Sequence, residues 1–149
     1  MNDKILLTPL QYRICQTQAD IFEYIATHNC DIDDFIKNYM NSDFCFYQMD
    51  TSYSRYQLHD VLECLDFICS EFSLLPQKEF INPAICYWIG FIYRGLWFKT
   101  QIPSKKLIKI ISLQEMKESY IGLHTLDEDI QLNILCQRHQ LSQYVYNEN

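Results

Sequence analysis

The stretch from Asn82-Pro83 to Thr100, NPAICYWIGFIYRGLWFKT, constrains the chain more than any other, because it is apolar on nearly every helical face. A surface helix keeps a polar stripe toward water, so a helix without one belongs inside a bundle. A bilayer span would need about 20 such residues; this run is shorter and carries Arg94 in its interior. The sequence therefore predicts a central helix over about 83–99 with the other elements packed around it. Gly90 and Gly95 each cost roughly 1 kcal/mol against Ala inside a helix. That cost makes sense where another backbone, or a ligand, comes close.

The flanking sequence supplies helices to surround it. Thr8-Pro9 reads as a cap followed by a proline at the first helical position, and Leu10, Ile14, Ile21, Phe22 and Ile25 follow at helical spacing as far as His28-Asn29. Asp31 can cap a helix over 32–40 that stops at Asn41-Ser42. Leu58, Val61, Leu62, Leu65, Ile68, Cys69 and Phe72 make the clearest amphipathic stripe, with Asp60, Glu63, Asp66 and Glu71 on its other face. Residues 43–56 hold no clean period and read as a short turn of helix and a tyrosine-rich loop. Ser104 can cap KKLIKII, for which helix and strand both fit. Ser112–Glu115 and Thr125–Glu128 are capping-box patterns, each followed by an apolar series.

Three glycines and four prolines are too few for the frequent turns of an all-β fold, and they leave no Gly-rich phosphate loop. A chain of 149 residues is room for one domain; at this size roughly 68–70% of the unfolded surface is buried, so no metal or disulfide is needed. The expectation is one all-α domain over 1–149, a compact bundle of six or seven helices, with 141–149 a frayed tail.

Charge and cysteines narrow the function classes. The net charge is −7, but Arg94 to Lys117 carries +5, leaving −12 for the rest. An acidic body disfavours nucleic acid and suits a basic partner. A DNA-binding role through Lys99 to Lys109 ranks last on that ground. Seven cysteines with no C-x-x-C pair, four histidines off zinc spacing and an N-terminus without a long apolar run read as reduced thiols in a cytoplasmic protein. No cofactor is expected. The Asp31-Asp33-Asp34 run fits helix-start carboxylates better than a Mg²⁺ site. Arg55–His59 and Arg138-His139 lack the spacing of four to six intervening residues found in nucleotide-binding helical ribonucleases. The cysteines lack a local activating signal.

One constellation merits a hypothesis. On a helix Tyr87, Gly90 and Arg94 share a face, so Gly90 leaves a notch beside a guanidinium that could receive an anionic group or a partner's carboxylate. The plainer reading, which we favour, is a buried Arg94 paired with Asp66 or Glu71. Tyrosines are abundant, and Tyr47, Tyr53 and Tyr56 with Arg55 in the irregular segment are equally candidates for an interface and for packing on their own core.

Three segments together, 35–57, 87–98 and 116–130, resemble a family of small uncharacterised bacterial proteins. Members pair a helix reading roughly Y-W-I-G-x-x-Y-R with a later Y-x-x-x-H-T-x-D. The matching residues here are Tyr87, Trp88, Ile89, Gly90, Tyr93 and Arg94, then Tyr120, His124, Thr125 and Asp127. Gly95 departs from the bulky aromatic more usual after the Arg. The resemblance implies a bacterial cytoplasmic protein encoded beside a toxin, for which the ADP-ribosyltransferase type is one candidate, and an antitoxin role without catalytic residues. The leading expectation is a non-enzymatic protein that binds and occludes a partner toxin. The alternative is a small ligand-binding regulator or enzyme using Tyr87, Gly90, Arg94 and His124. No membrane association is expected; a homodimer through Leu10 and Ile14 is conceivable.

Overall fold

Thr8 opens the first helix as its chemistry dictates. Its hydroxyl accepts from the Gln11 amide, the Gln11 side chain accepts from the Thr8 amide, and Pro9 sits where its missing N–H is not needed. The computed structural model describes residues 6–141, and in them α1 (Pro9–Thr27) is followed by α2 (Ile32–Met40), α3 (Val61–Ile68), α4 (Pro83–Thr100), α5 (Ser104–Ile110), α6 (Leu113–Leu123) and α7 (Glu128–Arg138). A π-helical turn, Cys45–Met49, and a 3₁₀ turn, Arg55–Leu58, lie between α2 and α3. The fold is an all-α bundle of seven α-helices among the described residues. Extended pairing there is confined to an isolated bridge between Cys30 and Pro76.

α4 is the centre, as its missing polar stripe requires. Trp88, Ile89, Phe91, Ile92, Leu96 and Trp97 are all buried. Burying one such side chain contributes about 1.5–3 kcal/mol, which outweighs the roughly 1 kcal/mol cost of each helical glycine. α1 packs along α4 with Ile14, Ile21, Phe22 and Ile25 turned inward. At Gly90 the two backbones come close: a Cβ there would stand 2.9 Å from the Ala19 Cα and 2.9 Å from the Gln18 carbonyl oxygen. Gly95 faces α7 instead, where the Leu132 side chain occupies the space at 3.0 Å. No described helix is long and apolar enough to cross a membrane.

Several local expectations need correction. The stripe from Leu58 to Phe72 forms a helix only over 61–68: Leu58 belongs to the 3₁₀ turn, Asp60 is the N-cap, and the Ser70 hydroxyl closes the far end on the Phe67 carbonyl. Leu62, within that stripe, is exposed. The 104–111 segment is helical, but Pro103 holds the cap position and the Ser104 hydroxyl turns inward. Ser112 caps α6 through the Glu115 amide, whereas the Glu115 carboxylate reaches Arg138 and His139 and forms no reciprocal bond. Thr125 does not cap α7. The Leu126 amide still bonds the Leu123 carbonyl, so residues 124–126 complete the end of α6 and Asp127 takes the cap position. Leu141, the first residue of the expected tail, is buried and bonds the Cys136 carbonyl; residues 142–149 lie outside the described residues. Ile14 is buried in the chain's own core, so it is not available for a dimer contact, while Leu10 is exposed.

The glycines give a paired test. Gly90→Ala should destabilise by about 1–3 kcal/mol, because α1 has to move away from α4. Gly122→Ala, with nothing within 4 Å of the new methyl, should stabilise by up to about 1 kcal/mol. Urea unfolding of the two variants measures both.

Candidate functional site

Arg94 has no exposed surface, and each of its N–H groups has an acceptor. Nε and Nη2 donate to the Gln18 Oε1 at 3.0 and 2.9 Å. Nη1 donates to the Asp50 Oδ1 at 2.6 Å and the Met49 carbonyl at 3.1 Å. Nη2 also reaches the Ser104 Oγ at 3.2 Å and the Cys45 Sγ at 3.3 Å. The Asp50 carboxylate in turn accepts from the Ser104 amide (2.7 Å) and hydroxyl (2.6 Å). Burial acts to lower the guanidinium pKa, and the adjacent carboxylate, with Cys45 and Tyr39, more than offsets it, so the group is held above its ordinary value.

The ion-pair partner is therefore Asp50, from the irregular segment, and not Asp66 or Glu71. Asp66 is exposed. Glu71 uses both carboxylate oxygens to accept the Asp43 and Phe44 amides at 2.7 Å each, which starts the π turn. Gln18, Asp50 and Ser104 were missed in the sequence. Gln18 carries a readable signal: it stands four residues after Ile14 and three before Ile21, a polar group on an apolar stripe.

The segment anchored by Asp50 turns aromatic rings outward. Phe46, Tyr47 and Tyr53 are 42%, 65% and 71% exposed. Phe46 and Tyr47 meet edge to face at 4.9 Å, and the Lys105 ammonium lies 5.3 Å from the Phe46 ring. Arg55 is exposed, with its guanidinium 5.1 Å above the Tyr56 ring. Tyr56 itself is half-buried and packs on Phe44 and Phe67 at 5.5 and 5.4 Å. Gln57 supports the loop from beneath, donating to the Met49 and Thr51 carbonyls.

Tyr87, Gly90, Arg94 and His124 do not form one site. Gly90 is closed by α1 and Arg94 is enclosed by its partners, whereas Tyr87 and His124 share a cleft of about 220 Å³ with Tyr12, Trp88, Phe91, Tyr120, Glu128 and Gln131. There Tyr12 meets Phe91 edge-on at 4.9 Å, Trp88 meets Tyr120 at 5.7 Å, and Tyr120 stacks on His124 at 4.0 Å. The Trp88 indole N–H donates to Gln131 at 2.6 Å and the Tyr12 hydroxyl donates to Glu128 at 3.2 Å.

The basic stretch does not form one continuous face. Arg94 and Lys99 are buried, Lys99 beside Asp129 at 3.4 Å, and Lys117 pairs with Asp33 at 2.8 Å. Of the acidic run, Asp31 caps α2 and Asp34 accepts from Asn38. Among the described residues no three His, Cys, Asp or Glu side chains gather closely enough to hold a metal ion. All seven cysteines are free thiols. Burial pushes Cys15, Cys45, Cys64 and Cys86 up to about 12, and Cys136 to about 11.

No family model matches the chain, and no curated protein and no solved structure is detectably similar to it. What the fold and the site define is a class: an all-α bundle with a buried arginine centre, one exposed aromatic segment and a small cleft lined by aromatic rings.

Breaking a buried ion pair costs about 3–5 kcal/mol, so Asp50→Asn should lose stability of that order in urea unfolding. A loss below about 1 kcal/mol would refute the central role of the pair. Thiol labelling at pH 8 should modify Cys69 and Cys30 quickly, since Cys69 is exposed and Cys30 partly so. The five buried thiols should react only after unfolding, because a thiol titrating near 11 or 12 supplies little thiolate at that pH.

Proposed function

We propose that this protein is a non-enzymatic, antitoxin-like binding protein that neutralises a partner toxin, the product of a neighbouring gene, by direct contact. The observation that carries the reading is the exposure of Phe46, Tyr47 and Tyr53 on a segment fixed from within by the Asp50–Arg94 pair. Rigid aromatic side chains lose little conformational entropy on binding and concentrate interface energy. The net charge of −7 favours a basic partner through long-range attraction. The resemblance in sequence to a toxin-associated bacterial family points the same way. In this reading the chain acts in the bacterial cytoplasm.

Co-expression with the neighbouring gene's product tests it. The parent protein should restore growth and co-purify with the toxin. A Tyr47→Ala, Tyr53→Ala double variant should fold normally, since both rings are exposed, yet bind at least about 30-fold more weakly, as the loss of an interface hot spot would dictate. A double variant that protects as well as the parent would remove this surface from the proposal. A parent that gives no protection would overturn the function.

A further inference from the structure

The cleft between α4, the start of α1 and the α6–α7 turn has a chemistry of its own, independent of the tyrosine segment. At about 220 Å³ it is smaller than the roughly 300–1,000 Å³ that drug-sized ligands occupy. A single head group fits it better than a nucleotide. Its rings stand at steep angles to one another, 71° between Tyr12 and Phe91 and 81° between Trp88 and Tyr120. Within each pair the edge of one ring meets the face of the other, so the rings do not lie parallel as the walls of a flat slot would.

The electrostatics choose the sign. Among the described residues Glu128 is the one carboxylate lining the cleft and no Lys or Arg lines it; His124 is the other titratable side chain there besides the tyrosines. One Glu128 oxygen accepts from the Tyr12 hydroxyl; the other has no hydrogen-bond partner among the described residues. The Tyr87 phenol is raised by burial and then by Asp20, Tyr12 and Glu23, against a smaller opposing effect of Arg13. Burial is the main cause of that shift, and the nearby carboxylates of Asp20 and Glu23 add to it. An anion at the N-terminus of α7 would meet the Glu128 carboxylate already seated in its first turn. Aromatic faces around a desolvated cation, with a carboxylate at one side, are the arrangement that recognises alkylated ammonium groups.

We infer that this cleft binds an organic ammonium cation, with its alkyl groups against Tyr12, Trp88, Phe91 and Tyr120 and its charge toward Glu128. A free quaternary amine and an alkylated or plain lysine side chain share this chemistry.

The test is an NMR titration of the full ¹⁵N-labelled chain, which holds two tryptophans. Choline should shift the Trp88 indole N–H saturably and leave that of Trp97, outside the cleft, in place. Its neutral carbon isostere, 3,3-dimethylbutan-1-ol, should bind about tenfold more weakly or less well still. Glu128→Gln should weaken choline several-fold while the free protein keeps its spectrum elsewhere. Tighter binding of choline than of Nα-acetyl-lysine methylamide would support a free amine as ligand; the reverse order would support a side chain. Equal affinity for choline and the isostere would reduce the cleft to an apolar depression and overturn the inference, as would the absence of any saturable shift at Trp88.

Discussion

A guanidinium with no solvent exposure, in the helix against which α1, α5, α6 and α7 pack, fixes where three other parts of the chain must stand. Arg94 cannot shed its charge, so the fold has to bring acceptors to it. The Met49 carbonyl and the adjoining Asp50 carboxylate come from the end of the π turn, Gln18 from α1, and Ser104 from the start of α5. The π turn is a consequence of that demand. Its closing bond, from the Asp50 amide to the Cys45 carbonyl at 2.7 Å, spans five residues rather than four. The wider turn aims both the Met49 carbonyl and the Asp50 carboxylate inward. Phe46 and Tyr47, on the same turn, are left facing out.

The helix crossing and the charge centre depend on each other. Gln18 donates through Nε2 to the Gly90 carbonyl at 2.9 Å while its Oε1 accepts from Arg94 and from the Tyr39 hydroxyl. Gln18 reaches both because α1 and α4 approach closely, and they do so because Gly90 has no side chain where Ala19 crosses it. A larger residue at 90 would therefore strain two things at once, the backbone contact and the carbonyl-to-guanidinium bridge. Tyr39 extends the coupling to α2 and, by ring contacts with Phe35 and Phe44, to the start of the irregular segment.

The fold was legible where a local rule decides it. The faceless apolar run gave α4, the Thr8-Pro9 and Asp31 caps gave the starts of α1 and α2, and the bundle follows from the need to cover α4. The site was legible only in part. That Arg94 is buried and paired could be read from its apolar surroundings, but its partner could not: Asp50 lies 44 residues away in the chain, and no local period relates them. Whether a backbone or a ligand closes the notch at Gly90 could not be read, because helical spacing shows which residues share a face without showing what lies against it; α1 is what closes it. Tyr87 and His124 do meet, yet their cleft is completed by Tyr12 and Glu128, contributed by α1 and α7, which only the packing brings together.

The thiol and the carboxylate beside Arg94 are engaged within the buried centre. Cys45 lies 3.3 Å from a guanidinium, a position that ordinarily activates a thiol. Burial outweighs that attraction here and Asp50 opposes it further, so the thiol is pushed up to about 12. The Asp50 carboxylate is already bonded by Arg94 and by both donors of Ser104. Groups with exposed surface are of another kind: the Tyr47 and Tyr53 rings, and Tyr12 beside Glu128. The buried polar centre thus acts on structure, by fixing one register of the bundle, while the exposed Tyr47 and Tyr53 rings stand on the segment that it anchors.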